Sequence, residues 1–166
     1  MQLTRFTDLG LRAMMLLAAG EADDHRVTTG SIAAGANASE NHIAKAVSRL
    51  VDLGMVHARR GRTGGLALTE AGRHASVGWL VRRLEGDREV IECGGDNPCP
   101  LVPACRLRRA LADAKEAFYR ELDRYTVSDL AGDANLVLIP LIPASHGPPV
   151  TPDSRPDSPT TERTSR

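Results

Sequence analysis

Apolar residues recur every three or four positions through much of the chain, and this spacing predicts helices over about 4–20, 28–35 and 39–54. A hydroxyl side chain able to cap the helix precedes each one: Thr4 or Thr7, Thr28 or Thr29, and Ser39. The predicted inward positions are Phe6, Leu9, Ala13, Leu16 and Leu17, then Ile32 and Ala33, then Ile43, Val47, Leu50 and Val51.

The pattern changes after the third helix. Two short extended runs, 55–58 and 66–68, flank a basic, glycine-rich segment and predict a hairpin. Helical spacing returns over about 70–84, 105–122 and 126–130. The long predicted helix carries one apolar face, made of Leu107, Ala110, Leu111, Ala114 and Phe118.

Proline positions divide the chain. Three of the ten prolines lie in 98–103 and seven lie in 140–159, whereas the first 97 residues have none. We expect a winged helix-turn-helix domain over 1–75, a cysteine loop with further helices over 76–135, and a Pro/Ser/Thr-rich tail over 136–166. The tail composition favours an unstructured end over a segment that binds a partner.

Composition narrows the function classes. The 166 residues carry 21 basic and 21 acidic side chains, which excludes a uniformly basic protein but allows a local basic patch. Aromatic residues are only 3%, too few for a base-stacking platform. The sequence shows no apolar run long enough to span a membrane and no signal peptide, so we expect a cytoplasmic protein. It has no nucleophile–base motif and no catalytic or metal-binding histidine spacing, so we expect no enzyme.

The basic patch falls on the predicted DNA-reading elements. Between positions 42 and 62 the chain has five Lys or Arg residues and one acid, on the third helix and the hairpin. In a winged helix-turn-helix, the second helix enters the major groove and the wing contacts the backbone. The candidate DNA-binding residues are Ser39, Glu40, Asn41, His42, Lys45, Arg49, Arg59, Arg60 and Arg62. A solvated helix face and a loose hairpin are the alternatives.

The three cysteines of the chain, Cys93, Cys99 and Cys105, are spaced evenly in a loop rich in glycine and proline. An odd number argues against a disulfide framework. Soft thiolates bind iron–sulfur clusters, zinc or copper(I), and three of them leave one iron of a four-iron cluster without a protein thiolate. Buried unligated thiols, a zinc site completed by a histidine such as His74, and a thiol–disulfide switch are the alternatives.

Three segments resemble the iron–sulfur winged-helix transcriptional repressor family. They are LTRFTDLGLRAMMLLA, IAKAVSRLVDLGMVHARRGRTGGLALT and CGGDNPCPLVPACRLRRAL, and the resemblance covers about residues 1–130. The third segment is similar to the nitric-oxide-sensing NsrR branch of the family. His42 departs from the family, which commonly has a tyrosine or a large apolar residue at this position.

The resemblance implies a homodimer paired through the long helix after the cysteine loop, with each subunit reading half of a two-fold double-stranded DNA operator. It implies one [4Fe-4S] cluster per subunit on Cys93, Cys99, Cys105 and Asp8 of the partner subunit, with nitric oxide as the signal. Arg12 lies four residues after Asp8, and Glu85 ends the helix before the loop. We expect both to hold or release Asp8; an ordinary surface ion pair is the alternative.

Other readings remain open at this point. A regulator of iron–sulfur assembly would use the cluster to report iron or oxygen supply, and a zinc or thiol-switch regulator would need no cluster. A redox protein that carries a cluster on an inert helical scaffold would show no specific DNA binding, and the basic hairpin favours the DNA-binding readings over this one.

Overall fold

Residues 2–22, 26–59, 64–86, 88–94 and 97–131 are described by the computed structural model of the chain. The helices of these residues are α1 (Arg5–Ala22), α2 (Thr29–Gly35), α3 (Glu40–Asp52), α4 (Glu70–Arg73), α5 (Val77–Glu85), α6 (Arg106–Leu122) and α7 (Val127–Ala131). The strands are β1 (Val56–Arg59) and β2 (Gly65–Leu68). No helix in the described ranges is long and apolar enough to cross a membrane. The predicted tail, 136–166, lies outside the described residues.

Helix α1 lies at the centre of the fold and contacts α2, α3, α5, α7 and β2. Its predicted inward positions are buried, apart from Phe6, which is partly buried. Thr4 and Thr7 are the two predicted caps of α1. Thr4 is the one that caps the helix, because the Thr7 N–H donates to Thr4 Oγ1 at 3.3 Å. The helix continues two residues beyond the predicted end at Gly20.

Helices α2 and α3 pack against each other across a short turn. Thr28 caps α2 by accepting from the Ser31 N–H, and Ser39 caps α3 by accepting from the His42 N–H. Asn37, in the turn between them, adopts a left-handed backbone with φ 49°, a conformation that asparagine tolerates better than most residues.

The inward face of α3 consists of Ile43, Ala46, Val47 and Leu50, all of which are buried. The prediction that Val51 faces inward is wrong, because this residue is 41% exposed. Each helical residue advances about 100° around the axis, so the residue after Leu50 already leaves the buried stripe.

Strands β1 and β2 form an antiparallel hairpin in which Val56 pairs with Leu68 and Arg59 pairs with Gly65. The other edge of β2 is bridged by Val27, whose carbonyl accepts from the Leu66 N–H at 2.8 Å. The hairpin tip, which includes the predicted DNA-binding residues Arg60 and Arg62, lies outside the described residues.

The prediction of one continuous helix over 70–84 is wrong, because this segment forms two separate helices, α4 and α5. Ser76 caps α5 by accepting from the Trp79 N–H at 3.0 Å. The junction is fixed by the chain before α7: the Val77 N–H donates to the Tyr125 carbonyl, and the Val127 N–H donates to the Ala75 carbonyl. These tertiary hydrogen bonds replace the intrahelical ones that a continuous helix would make.

Helix α6 buries one residue, Tyr119, and packs against α5. Most of its predicted apolar face is uncovered in the single chain, and Leu107 is 61% exposed. Leu101 and Val90, near the start of α6, are exposed as well.

Candidate DNA interface and cysteine loop

The exposed face of α3 carries His42, Lys45 and Arg49, which follow one another at spacings of three and four residues. This spacing places them in one row, opposite the buried stripe that fixes α3 against α1. Their charges and donors therefore face solvent from a helix whose orientation the core determines. Such a row can contact the phosphates and base edges of a DNA groove.

The four predicted residues at the start of α3 have different environments. The Ser39 hydroxyl caps the helix and lies 2.8 Å from His42 Nδ1. The Glu40 side chain turns back towards α2, since its Oε1 lies 3.1 Å from where a Cβ on Gly30 would be. Asn41 and His42 are exposed, so they are the members of this set best placed to meet a base edge.

The base of the wing is held by Glu21 at the end of α1, a residue that the sequence patterns did not single out. Glu21 Oε1 accepts from the Leu68 N–H at 2.9 Å, and Glu21 Oε2 pairs with Arg73 at 2.8 Å. One carboxylate thus joins α1, β2 and α4. Arg59, at the end of β1, is exposed on the hairpin that this contact positions.

The cysteine loop is closed by backbone hydrogen bonds. The Cys99 N–H donates to the Cys93 carbonyl at 3.2 Å, and the Val102 N–H donates to the Cys99 carbonyl at 3.2 Å. A 3-10 turn over Val102–Ala104 then leads to Cys105, the N-cap of α6. Cys105 Sγ accepts from the Arg108 N–H at 3.4 Å, so the third thiol of the loop is fixed to the first turn of α6.

The Cys93 thiol is buried, and its surroundings disfavour the thiolate. Burial raises the pKa of Cys93, and the neighbouring Glu89 carboxylate and Cys99 raise it further. Glu89 in turn is paired with Arg108, and this contact holds the pKa of Glu89 below its usual range. A buried thiol with a raised pKa is less reactive towards oxidants than an exposed thiol with a low pKa.

A groove of about 790 Å³ lies beside the loop and is lined by Cys93, Gly94, Pro98, Val102 and the Glu89–Arg108 pair, among others. In the described part of the chain, no three Cys, His, Asp or Glu side chains converge closely enough to hold a single metal ion. His74, the histidine considered as a zinc ligand, instead lies 2.9 Å from Glu70 Oε1 on α4. A cluster needs no such convergence, because each thiolate binds a different iron, and three thiols on one loop suit that donor set.

The remaining predicted site residues lie at the N-terminal end of α1. Asp8 is partly exposed and pairs with Arg12 Nε at 2.8 Å. Glu85 contacts Thr4 instead of Asp8: its Oε1 accepts from the Thr4 N–H at 2.7 Å and from the Thr4 hydroxyl at 2.9 Å. Arg12 therefore touches Asp8 directly, and Glu85 holds the helix end from which Asp8 projects.

Arg82 fastens α5 to α6. Its guanidinium donates to Asp123 Oδ2 at 2.8 Å and to Glu116 Oε1 at 2.7 Å, and it lies over the Tyr119 ring. Asp123 also accepts from the Ser76 hydroxyl at 2.6 Å. Hydrogen bonds from Ser76 and Arg82 lower the pKa of Asp123.

Asp123 makes the fold sensitive to acid. A carboxylate whose folded pKa is lowered adds stability above its unfolded pKa, and this part is lost as the pH falls through the folded value. We therefore expect the free energy of unfolding to fall below about pH 4, and the fall to be smaller in Asp123→Asn. Urea unfolding between pH 3 and pH 7 measures both curves, with the exposed Asp113→Asn on α6 as the charge-matched control. Equal slopes for wild type and Asp123→Asn would contradict the assignment.

The Tyr119 hydroxyl is buried and has no hydrogen-bond partner among the described residues. Burial and the Glu85 carboxylate raise the pKa of Tyr119. Removing an unpaired buried hydroxyl relieves its desolvation cost, so Tyr119→Phe should raise the free energy of unfolding by about 1 kcal/mol. Urea denaturation at neutral pH measures this change, and a loss of stability would show that the hydroxyl is satisfied.

Comparison with known proteins gives one consistent family. Residues 3–133 match the family described as "Rrf2: Iron-dependent Transcriptional regulator". The HTH-type transcriptional repressor NsrR of Streptomyces coelicolor is 58% identical over 130 residues, which cover 78% of this chain and 88% of that protein. The HTH-type transcriptional regulator NsrR of Geobacillus kaustophilus is 40% identical over 135 residues, which cover 80% of this chain and 91% of that protein.

Comparison of the fold with solved structures also gives transcriptional regulators. The solved structure of T. potens IscR matches with a TM-score of 0.63 at 25% identity, over 81% of this chain and 88% of that one. This likeness confirms the mainly helical winged fold expected from the sequence. The relatives are named as transcriptional regulators, which confirms that the chain is a regulator and not an enzyme. The chain belongs to the Rrf2 family of transcriptional regulators, and within it is similar to the NsrR proteins.

Proposed function

We propose that the chain is a nitric-oxide-sensing transcriptional repressor, which binds operator DNA as a homodimer and is controlled by one [4Fe-4S] cluster per subunit. The observation that carries the proposal is a single loop, closed by backbone hydrogen bonds, that carries all three cysteines, with the last of them capping α6. The 58% identity to a protein named as the repressor NsrR supports the same reading.

Cys93, Cys99 and Cys105 would hold three irons, and Asp8 of the partner subunit would hold the fourth. That Asp8 comes from the second subunit is what the family resemblance implies; within its own chain Asp8 lies on α1 and pairs with Arg12. When bound, the cluster supplies an iron whose carboxylate ligand is harder and weaker than thiolate, and a diatomic molecule can compete for it. Arg12 competes for the same carboxylate, since the two side chains form an ion pair within one chain.

The residues of this chain connect the loop to the DNA-binding helices by direct contacts. Cys105 is fixed to the first turn of α6, and Arg82 fastens α6 to α5. Glu85, at the end of α5, accepts two hydrogen bonds from Thr4 at the start of α1. Helix α1 then packs on α3. A displacement of the loop would therefore move rigid elements that end at the DNA-facing helix.

The proposed dimer uses the uncovered apolar positions of α6. Leu107, 61% exposed, and its neighbours on this helix would be covered by the same helix of a second chain. Two α3 helices related by a two-fold axis would then face the two halves of one operator. If this arrangement of the two subunits is lost, the two α3 helices can no longer contact both operator half-sites at the same time. The affinity for the operator then falls.

Replacing Arg49 with alanine should weaken binding to all duplex sequences alike. A cation that contacts phosphate releases about one counterion, so the slope of log affinity against log salt should fall by about one unit per contact. Fluorescence anisotropy at several salt concentrations measures this slope. Arg120→Ala, which removes another exposed cation, this one on α6, is the control and should keep the wild-type slope. An unchanged slope in Arg49→Ala would exclude Arg49 as a phosphate contact.

The proposal is tested by selecting the operator and then adding nitric oxide. Anaerobically purified protein is used to enrich a duplex from a random pool, and its affinity for that duplex is measured before and after stoichiometric nitric oxide. We expect tight binding that nitric oxide weakens at least tenfold. A regulator of iron–sulfur assembly would instead respond to loss of the cluster and not to nitric oxide. A zinc or thiol-switch regulator would bind without iron, and either outcome would overturn the proposal.

A further inference from the structure

We propose that His42 selects a guanine in each operator half-site, with its imidazole Nε2–H as the hydrogen-bond donor. This inference rests on the proposed DNA-binding function, and it assigns the chemistry of base recognition to one side chain. The observation behind it is the contact between Ser39 Oγ and His42 Nδ1, 2.8 Å apart at the exposed start of α3.

In this proposal, the Ser39 hydroxyl is the donor of the contact and His42 Nδ1 is the acceptor, which is one of the two directions that the distance allows. Ser39 Oγ already accepts from the His42 backbone N–H, at 3.4 Å, as the cap of α3. The hydroxyl can donate its single proton to Nδ1 while its oxygen accepts from the backbone N–H. Nδ1 then carries no proton, so the neutral ring carries it on Nε2. The free edge of the ring therefore presents a donor.

The same contact holds the ring in place before DNA arrives. An exposed histidine normally loses rotamer freedom on binding, whereas a ring already held by Ser39 loses less. Two of the neighbouring side chains, Glu40 and Lys45, are less suited to reading a base. Glu40 turns back towards Gly30, and Lys45 ends in a flexible point charge that suits phosphate. His42 is thus a preorganised donor in the exposed row of α3.

The base edges in the major groove determine which base such a donor prefers. Guanine presents two adjacent acceptors, N7 and O6, whereas adenine presents one acceptor beside an amino group and thymine presents one beside a methyl group. Cytosine presents an amino group, which is itself a donor, so it offers no acceptor to the Nε2–H of His42. A single N–H on a rigid ring is therefore satisfied best by guanine.

The test compares the operators that different variants enrich from a random duplex pool, using the full chain purified without oxygen. Wild type should enrich one guanine per half-site, and His42→Ala should lose that preference by about three- to tenfold, the effect of one hydrogen bond. Preferences at the other positions should stay. Loss of stability alone would lower affinity for all sequences and would not change the preference at one position.

Two substitutions at Ser39 separate the ring contact from the helix cap. Glycine is an acceptable N-cap without a hydroxyl, so Ser39→Gly should weaken the preference for the same guanine. Threonine keeps both the cap and the hydroxyl, so Ser39→Thr should retain it. The inference is overturned if His42→Ala selects the wild-type operator unchanged, or if Ser39→Gly and His42→Ala affect different positions. If wild type enriches no sequence at all, the proposed DNA-binding function fails instead.

Discussion

Cys105→Ser should remove the iron from the chain while leaving α6 folded. Serine is a better helix N-cap than cysteine, so its hydroxyl can accept from the Arg108 N–H as the thiol does at 3.4 Å. A serine hydroxyl is a poor ligand for the soft irons of a cluster. We expect the iron content to fall from about four per chain to near zero, with an unchanged helical signal in circular dichroism.

Gly94→Ala is the matched control for this change. Gly94 follows Cys93 in the loop, and a Cβ at this position would meet no described atom within 4 Å. It alters the loop without removing a thiol, so iron should be retained. Full iron in Cys105→Ser would contradict the assignment of Cys105, and iron lost equally from both variants would show only that the loop tolerates no change.

Gly78→Ala, at the one glycine of α5, should destabilise the fold strongly. A Cβ on Gly78 would lie 2.3 Å from the Tyr119 carbonyl oxygen and 2.4 Å from Asp123 Oδ1. The carbonyl belongs to the backbone of α6 and cannot rotate away, so α5 and α6 would have to separate. We expect the free energy of unfolding to fall by about 3 kcal/mol, as for overpacked cores.

Urea denaturation at neutral pH measures this effect, and the sign of the result is decisive. A glycine inside a helix with open space around it usually gains about 0.5–1 kcal/mol when it becomes alanine. A gain in Gly78→Ala would therefore show that α5 and α6 are not packed as described. The exposed Gly94→Ala should change the stability little and serves here as well as the control.

Helix positions could be predicted from the sequence where a capping residue and the apolar spacing indicated the same start. Ser39 precedes an apolar stripe of correct spacing, and the structure begins α3 directly after it. Ser76 gave no such signal, because it lies within a run of helical spacing, and its role as the cap of α5 depends on hydrogen bonds with residues near Tyr125. Contacts of this kind join segments about 50 residues apart, and no local pattern encodes them.

The candidate site divides in the same way. The cysteines and the exposed cations of α3 could be found by residue type and spacing alone. The pairs that position them could not: Glu21 with the Leu68 N–H, Glu85 with Thr4, and Glu89 with Arg108. Each joins separate elements, and a charged residue in a sequence does not indicate which distant group it will contact.

The central claim is that the three cysteines hold a cluster on which nitric oxide acts. It is tested most directly by measuring iron, acid-labile sulfide and visible absorption of protein purified without oxygen, before and after stoichiometric nitric oxide. We predict about four irons and four sulfides per chain, with a broad visible absorption band that nitric oxide bleaches. Zinc or no metal, with a spectrum that nitric oxide leaves unchanged, would contradict the claim.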